Sequence, residues 1–289
     1  MKTTALKFAS TRILAALAVV ALPLLASSNP VYQADGADTA FEKTKRLSDT
    51  FSAKQSSFQL RLTRLGTDFG FSAMPQGRID LCTSMRAMTA EEIAECVAVF
   101  GRRPTEYKVC LDAIGIYVHA DNPVKELTAD QVAQIFRGEV RNWKQVGGSD
   151  APIVLFGHKL ESGTREFFQH HVLDDEPLSM RVKARESDQS ILQSVAGERN
   201  AIGYGRVASA GDVKQLAIKS GERGPAVPMN KITVADGTYP LRGYVAAYAN
   251  PNTDKGKLAA YLKWIQGEEG QRIAEESGFH PLPNYLRTQ

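Results

Sequence analysis

The sequence predicts an α/β protein of about two domains, with mainly parallel sheets flanked by helices. Short apolar runs alternate with helical patterns along most of the chain, the mark of α/β units. Two capping boxes, Thr89-Ala-Glu-Glu92 and Thr128-Ala-Asp-Gln131, open two of those helices. A length of 289 residues, 43% hydrophobic and 23% charged, is that of a chain with a self-sufficient core. This composition excludes collagen-like, largely disordered and small disulfide-knit classes.

The elements follow in order. Val31–Ala34 reads as a strand, and Asp38 or Thr39 caps a helix to about Lys54, with Phe41, Leu47 and Phe51 inward. Phe58–Thr63 alternates apolar and polar residues and predicts a half-buried strand. Gly66–Gly70 is a turn into a helical stretch, and Ile79–Cys82 is an apolar strand interrupted by Asp80. After the first capping box, Ile93, Val97 and Phe100 share a face, and Gly101 stops the helix. Val109–Val118 is a nearly unbroken apolar run, expected as one strand covered on both faces. Val132, Ile135 and Phe136 follow the second box. Ile153–Phe156 is a strand leading to a helix near Gly163, and Ile202–Gly205 and Tyr244–Tyr248 are further strands. Helices carrying Leu258, Tyr261, Leu262, Ile265 and Ile273 close the chain.

Residues 1–28 carry Lys2, Lys7 and Arg12, no acid, and the apolar run Ile13–Ala26. This is a signal-peptide pattern with cleavage expected between Ala26 and Asn29. A run of 14 residues is short for a membrane span of about 20, so a soluble exported protein is expected, periplasmic in a Gram-negative source. Removing these three cations from the 35 basic residues leaves 32, against 32 acidic ones. No basic stripe remains to bind nucleic acid. Cys82, Cys96 and Cys110 lack metal-ligand spacing. They read as buried small hydrophobes, with a Cys96–Cys110 disulfide as the alternative. His170-His171 reads as a surface or core pair without a third ligand, so no metal and no cofactor is expected.

The chemistry concentrates where a strand meets a helix. In Gly157-His-Lys-Leu-Glu-Ser162-Gly163-Thr164, free N–H groups and the positive helix end offer a site for an anion. Gly163 permits close approach, and the Ser162 and Thr164 hydroxyls donate. The plain alternative is an ordinary N-cap. Asp80, in an apolar strand, requires hydrogen bonds or a cleft. Ser162 is not set in a G-x-S-x-G elbow, and the sequence names no acid to orient His158, so no catalysis is expected.

The chain resembles the phosphate-type periplasmic solute-binding proteins of ABC transporters over most of residues 31–285. Gly77-Arg-Ile-Asp80 to Ser84-Met-Arg86, Ile135-Phe-Arg-Gly138 with Asn142-Trp143 and Val146-Gly-Gly148, Ser162-Gly-Thr164, Ala201-Ile-Gly-Tyr204, Tyr239-Pro-Leu241 and Gly278–Pro281 match that family's segments in order. The resemblance implies the type 2 periplasmic binding fold: two lobes, about 30–117 with 240–289 and about 118–239, joined by two crossing strands. It implies a phosphate or similar oxyanion held by Ser162, Gly163 and Thr164 from one lobe and by Thr67 and Asp80 from the other. Asp80 would accept the phosphate's proton, and the Gly36–Thr39 loop, with Thr39, would close the site. The family's Arg four residues before the serine is His158 here, with Lys159 as the neighbouring cation. The implied partner is an ABC permease, and the protein is expected to be a monomer. The alternative is the same fold with an altered or lost ligand, acting as a sensor or adaptor.

Overall fold

The computed structural model describes residues 31–36, 38–206 and 212–287, so the expected signal peptide lies outside the described residues. The first part of the chain alternates β1 (Val31–Gly36), α1 (Asp38–Lys54), β2 (Gln59–Leu62), α2 (Thr67–Ala73), β3 (Leu81–Ser84) and α3 (Ala90–Phe100) before β4 (Thr105–Ala113). A second part runs through β5 (Gly115–His119), β6 (Glu126–Thr128), α4 (Ala129–Arg137), β7 (Val154–His158), α5 (Gly163–Val172) and β8 (Lys183–Arg185). It continues with α6 (Asp188–Ala196), β9 (Ala201–Gly205), β10 (Val213–Gln215) and β11 (Ala217–Lys219). The chain returns through α7 (Lys231–Asp236) to β12 (Arg242–Ala249), α8 (Gly256–Gln266) and α9 (Glu268–Glu276).

Two five-stranded sheets result, in the orders β2-β1-β3-β12-β4 and β10-β5-β9-β7-β8, with a small β11-β6 pair beside them. In the first, β1 pairs in parallel with β2 and β3, while β12 runs antiparallel to β3 and β4. In the second, β7 is parallel to β8 and β9, while β5 is antiparallel to β9 and β10. Each sheet is therefore mixed rather than mainly parallel. The strand–helix units pair in parallel, and the strands that pass between the sheets run against them.

The apolar run Val109–Val118 is two strands in two sheets, not one. The break falls at Ile114, whose N–H donates to the Leu241 carbonyl at 3.0 Å and whose carbonyl accepts the Tyr239 hydroxyl at 2.6 Å. The outgoing and returning segments are thus tied at the crossing. Gly115, Ile116 and Tyr117, expected with the first lobe, pair in the second sheet. A side chain at Gly115 would meet the Tyr117 hydroxyl oxygen at 2.4 Å, which explains a glycine at the crossing.

Both capping boxes form, and Gly101 and Gly138 end their helices in the left-handed region at φ 70° and 83°. Packing around the second sheet seats α5. Phe168 stacks on Tyr204 at 3.9 Å, and Phe136 meets both rings edge-on at 4.9 and 5.3 Å. Each buried aromatic contributes about 1.5–3 kcal/mol. Cys82, Cys96 and Cys110 are all buried and unbridged, so the Cys96–Cys110 disulfide does not form. Among the described residues no helix is long and apolar enough to cross a membrane, and no group of metal-ligating side chains gathers.

Candidate functional site

In each sheet, parallel strands point their carboxyl ends at one edge, where ligands of open α/β sheets bind. From the second sheet, β7 ends at His158 and the chain turns into α5. Ser162 caps that helix, its Oγ accepting the Thr164 N–H at 3.2 Å, and Gly163 and Thr164 are buried behind it. From the first sheet, Gly66, at φ 94°, turns the chain from β2 into α2, and Thr67 is buried at the start of that helix. The two turns face each other across a cleft of about 590 Å³ lined by Arg64–Asp68 on one side and by Leu160–Ser162, Arg165, Glu166 and Gln169 on the other. The Thr67 hydroxyl donates to Glu166 Oε1 at 3.0 Å, bridging the two walls.

The structure thus brings together Thr67, Ser162, Gly163 and Thr164. It does not bring Asp80 to them. Asp80 precedes β3, at the opposite end from the cleft. Its Oδ2 accepts the Gln33 N–H at 2.7 Å, its N–H donates to the Gln33 carbonyl, and its carbonyl accepts from Asn250. The acid is explained by strand stitching: a carboxylate in an apolar setting is satisfied by a backbone donor of β1. The Gly77–Arg86 motif marks the strand but not which of its ends faces the cleft.

His158 is also placed differently from the expectation. It is buried at the end of β7, and its Nε2 lies 2.8 Å from Asp188 Oδ1. Burial works against the Asp188 charge, yet the His158 imidazole, with the Arg206 N–H at 3.3 Å, holds this carboxyl below the usual carboxylate range. Arg206, just after β9, in turn pairs with Asp112 on β4 at 2.8 Å and so ties the two sheets. Lys159 is tied to Glu186 on the outside and does not replace the missing guanidinium. Thr39 falls in the first turn of α1, but its side chain lies outside the described residues.

Further charged groups line the walls. On the first wall Asp68 pairs with Arg86 at 2.6 Å, and Arg86 also holds Glu92 at 2.7 Å while its guanidinium lies over Phe71. Burial opposes the Glu92 charge, and the Arg86 contact overcomes it and lowers this carboxyl's pKa. Asp35, buried at the end of β1, accepts from Gly36 N, Leu65 N and the Thr63 hydroxyl, and so fixes the loop that precedes Thr67. On the second wall, burial raises the Glu166 carboxyl above its ordinary pKa, with the Thr67 hydrogen bond acting the other way. The sequence signal for Arg165 and Glu166 was their place directly after Ser-Gly-Thr.

Two α/β lobes whose turns face each other across a cleft are the build of a bilobal protein, and the chain belongs to the PBP superfamily, whose domain matches residues 26–269. More particularly, it is similar to the phosphate-binding protein PstS of Pseudomonas aeruginosa, at 29% identity over 264 residues, covering 86% of this chain and 82% of that one. A solved structure described as a possible phosphate binding protein from Planctomyces limnophilus superposes with TM-score 0.76 at 25% identity, over 90% of this chain and 95% of that one. The ABC-type phosphate transport receptor of Vibrio cholerae shares the fold, with TM-score 0.75 at 20% identity over 88% of this chain and all of that one.

Proposed function

We propose that the chain is an exported solute-binding protein that holds inorganic phosphate between its two lobes and delivers it to an ABC permease. The observation that carries this reading is the Ser162-Gly163-Thr164 turn at the start of a ten-residue helix, opposite Thr67 across a cleft. Backbone N–H groups and the helix's positive end suit a small oxyanion. The phosphate-binding names of its relatives agree with that chemistry. The two lobes are the parts carrying the two five-stranded sheets, 31–113 with 242–287, and 115–236. The site binds without turnover: Ser162 Oγ serves as a helix cap and His158 is turned toward Asp188.

Calorimetry of the chain without residues 1–28 tests this against phosphate, arsenate, sulfate and molybdate. Saturable binding of phosphate, displaced by arsenate, is expected. Heat with none of the four would favour the second reading, a sensor or adaptor on the same fold, for which the withdrawal of His158 from the cleft is the supporting observation.

A further inference from the structure

We infer that Arg165 is the residue that supplies the positive charge of the anion site. This rests on the phosphate reading above and adds the cation it lacks. A doubly charged oxyanion in a cleft needs more than neutral donors, and position 158, Lys159 and Arg86 do not provide charge: the first is bound to Asp188, the second to Glu186, the third to Asp68 and Glu92. Two arginines line the cleft beside the anion loop. Arg64 is paired with Glu42, and its guanidinium lies over Phe41. Arg165 is different. Among the described residues no carboxylate lies within ion-pair distance of it, its Nη1 reaches only the His158 carbonyl at 3.4 Å, and its Nε is buried without any hydrogen-bond partner.

Its position sharpens the point. Arg165 is the third residue of α5, in the first turn, where the helix end is positive and a cation is disfavoured. A partly buried guanidinium set against a helix dipole and left without a counterion is an unfavourable arrangement on its own. An oxyanion seated at the Gly163 N–H, beside the Thr164 N–H that Ser162 Oγ caps, reverses it, since the ligand then screens the dipole and faces the fork. The planar guanidinium matches two oxygens of a phosphate, which an ammonium does not.

The test is calorimetric titration of inorganic phosphate into the parent, Arg165→Gln and Arg165→Lys, with thermal melts of each. Arg165→Gln is expected to raise Kd about ten- to hundredfold, the size of a charge-assisted contact. Arg165→Lys, which keeps the charge and loses the fork, should recover part of that loss. The parent's affinity should fall with added salt more steeply than that of the Gln variant. If the Gln variant does not fold, the Lys variant carries the test, with at least about a threefold loss expected from the missing fork. Parent affinity in a folded Gln variant, or in the Lys variant where only that one folds, overturns the assignment to Arg165. A parent that binds none of the oxyanions overturns the phosphate reading itself, and this inference with it.

Discussion

The two walls of the cleft are built alike and charged differently. Each is a parallel strand, a turn and a helix start: β2, Gly66 and α2 on one side, β7, Ser162 and α5 on the other. On the first wall the acid of the opening helical turn, Asp68, is balanced by Arg86, which Glu92 and the Phe71 ring hold in place. Among the described residues, the one guanidinium of that wall's Arg86 is thus taken up by two carboxylates. On the second wall the turn offers a helix start, a serine cap and Arg165, which has no carboxylate partner among the described residues, while Glu166 reaches across to Thr67. Matching architecture therefore does not imply matching function. The first wall positions Thr67, and on the phosphate reading the second is where a negative ligand would complete the charge.

The largest expected effect strikes the second wall. Thr164→Val and Ser162→Ala should each weaken phosphate binding by about 1.5–3 kcal/mol by removing a donor to a charged oxygen. Ser162→Ala should also cost about 1 kcal/mol of stability, because its Oγ caps α5 through the Thr164 N–H. Titration and chemical denaturation separate the two effects. Unchanged affinity in both variants would reduce the loop to a helix cap.

Unbalancing the first wall comes next. Arg86→Met keeps much of the packing on Phe71 but leaves Glu92 half-buried and unpaired, at a cost of about 2 kcal/mol of stability near neutral pH. The sign follows from Glu92. Its depressed carboxyl pKa in the fold contributes stability above its unfolded pKa of about 4.3, lost as pH falls through the lower folded value. The variant lacks the Arg86 share of that contribution, so the gap between the two proteins should be widest at pH 7 and close as pH falls through the lowered Glu92 value. A pH-independent gap in denaturation would show that Arg86 acts by packing alone.

The bridge between the walls gives a smaller change of opposite sign. The Glu166 carboxyl is raised by burial, so the fold favours its protonated form, and that contribution is present below about pH 4.3 and lost as pH rises through the folded value. Glu166→Gln removes the buried charge and keeps an oxygen for the Thr67 hydroxyl. Stability should rise by about 0.5–1 kcal/mol at pH 8 and change little at pH 4. A loss at pH 8 would mean that the ionised carboxylate, through Thr67, holds the walls together.

Much of this molecule is legible in its sequence because local rules are enough: both capping boxes, their glycine stops and the Ser-Gly-Thr turn form as the residues dictate. What fails needs knowledge of the far end of an interaction. Val109–Val118 reads as one strand because nothing in its apolar run marks Ile114, where Tyr239 and Leu241 bind from 125 and 127 residues away. His158 looks like a weakened arginine until Asp188, 30 residues on, is seen beside it. Arg165 was readable in principle, as a cation in the wrong turn of a helix.

Asp80 gives the smallest expected effect. An oxyanion that still carries a proton would be favoured over sulfate by a carboxylate beside it, and the sequence position suggested Asp80 for that role. The structure sets Asp80 four residues before Ser84, the cleft end of β3, a separation of about 13 Å at the rise of an extended strand. Charges that far apart lie beyond the screening length of about 8 Å at physiological salt. The carboxylate is moreover occupied by the Gln33 N–H at 2.7 Å. Asp80→Asn keeps an acceptor for that donor and loses only its charge, so stability should fall by about 0.5–1 kcal/mol. The ratio of phosphate to sulfate affinity should stay within about twofold of the parent's, less than 0.5 kcal/mol. A narrowing of tenfold in competition titrations would place Asp80 at the ligand after all, and would mean that the first sheet presents its other edge to the anion.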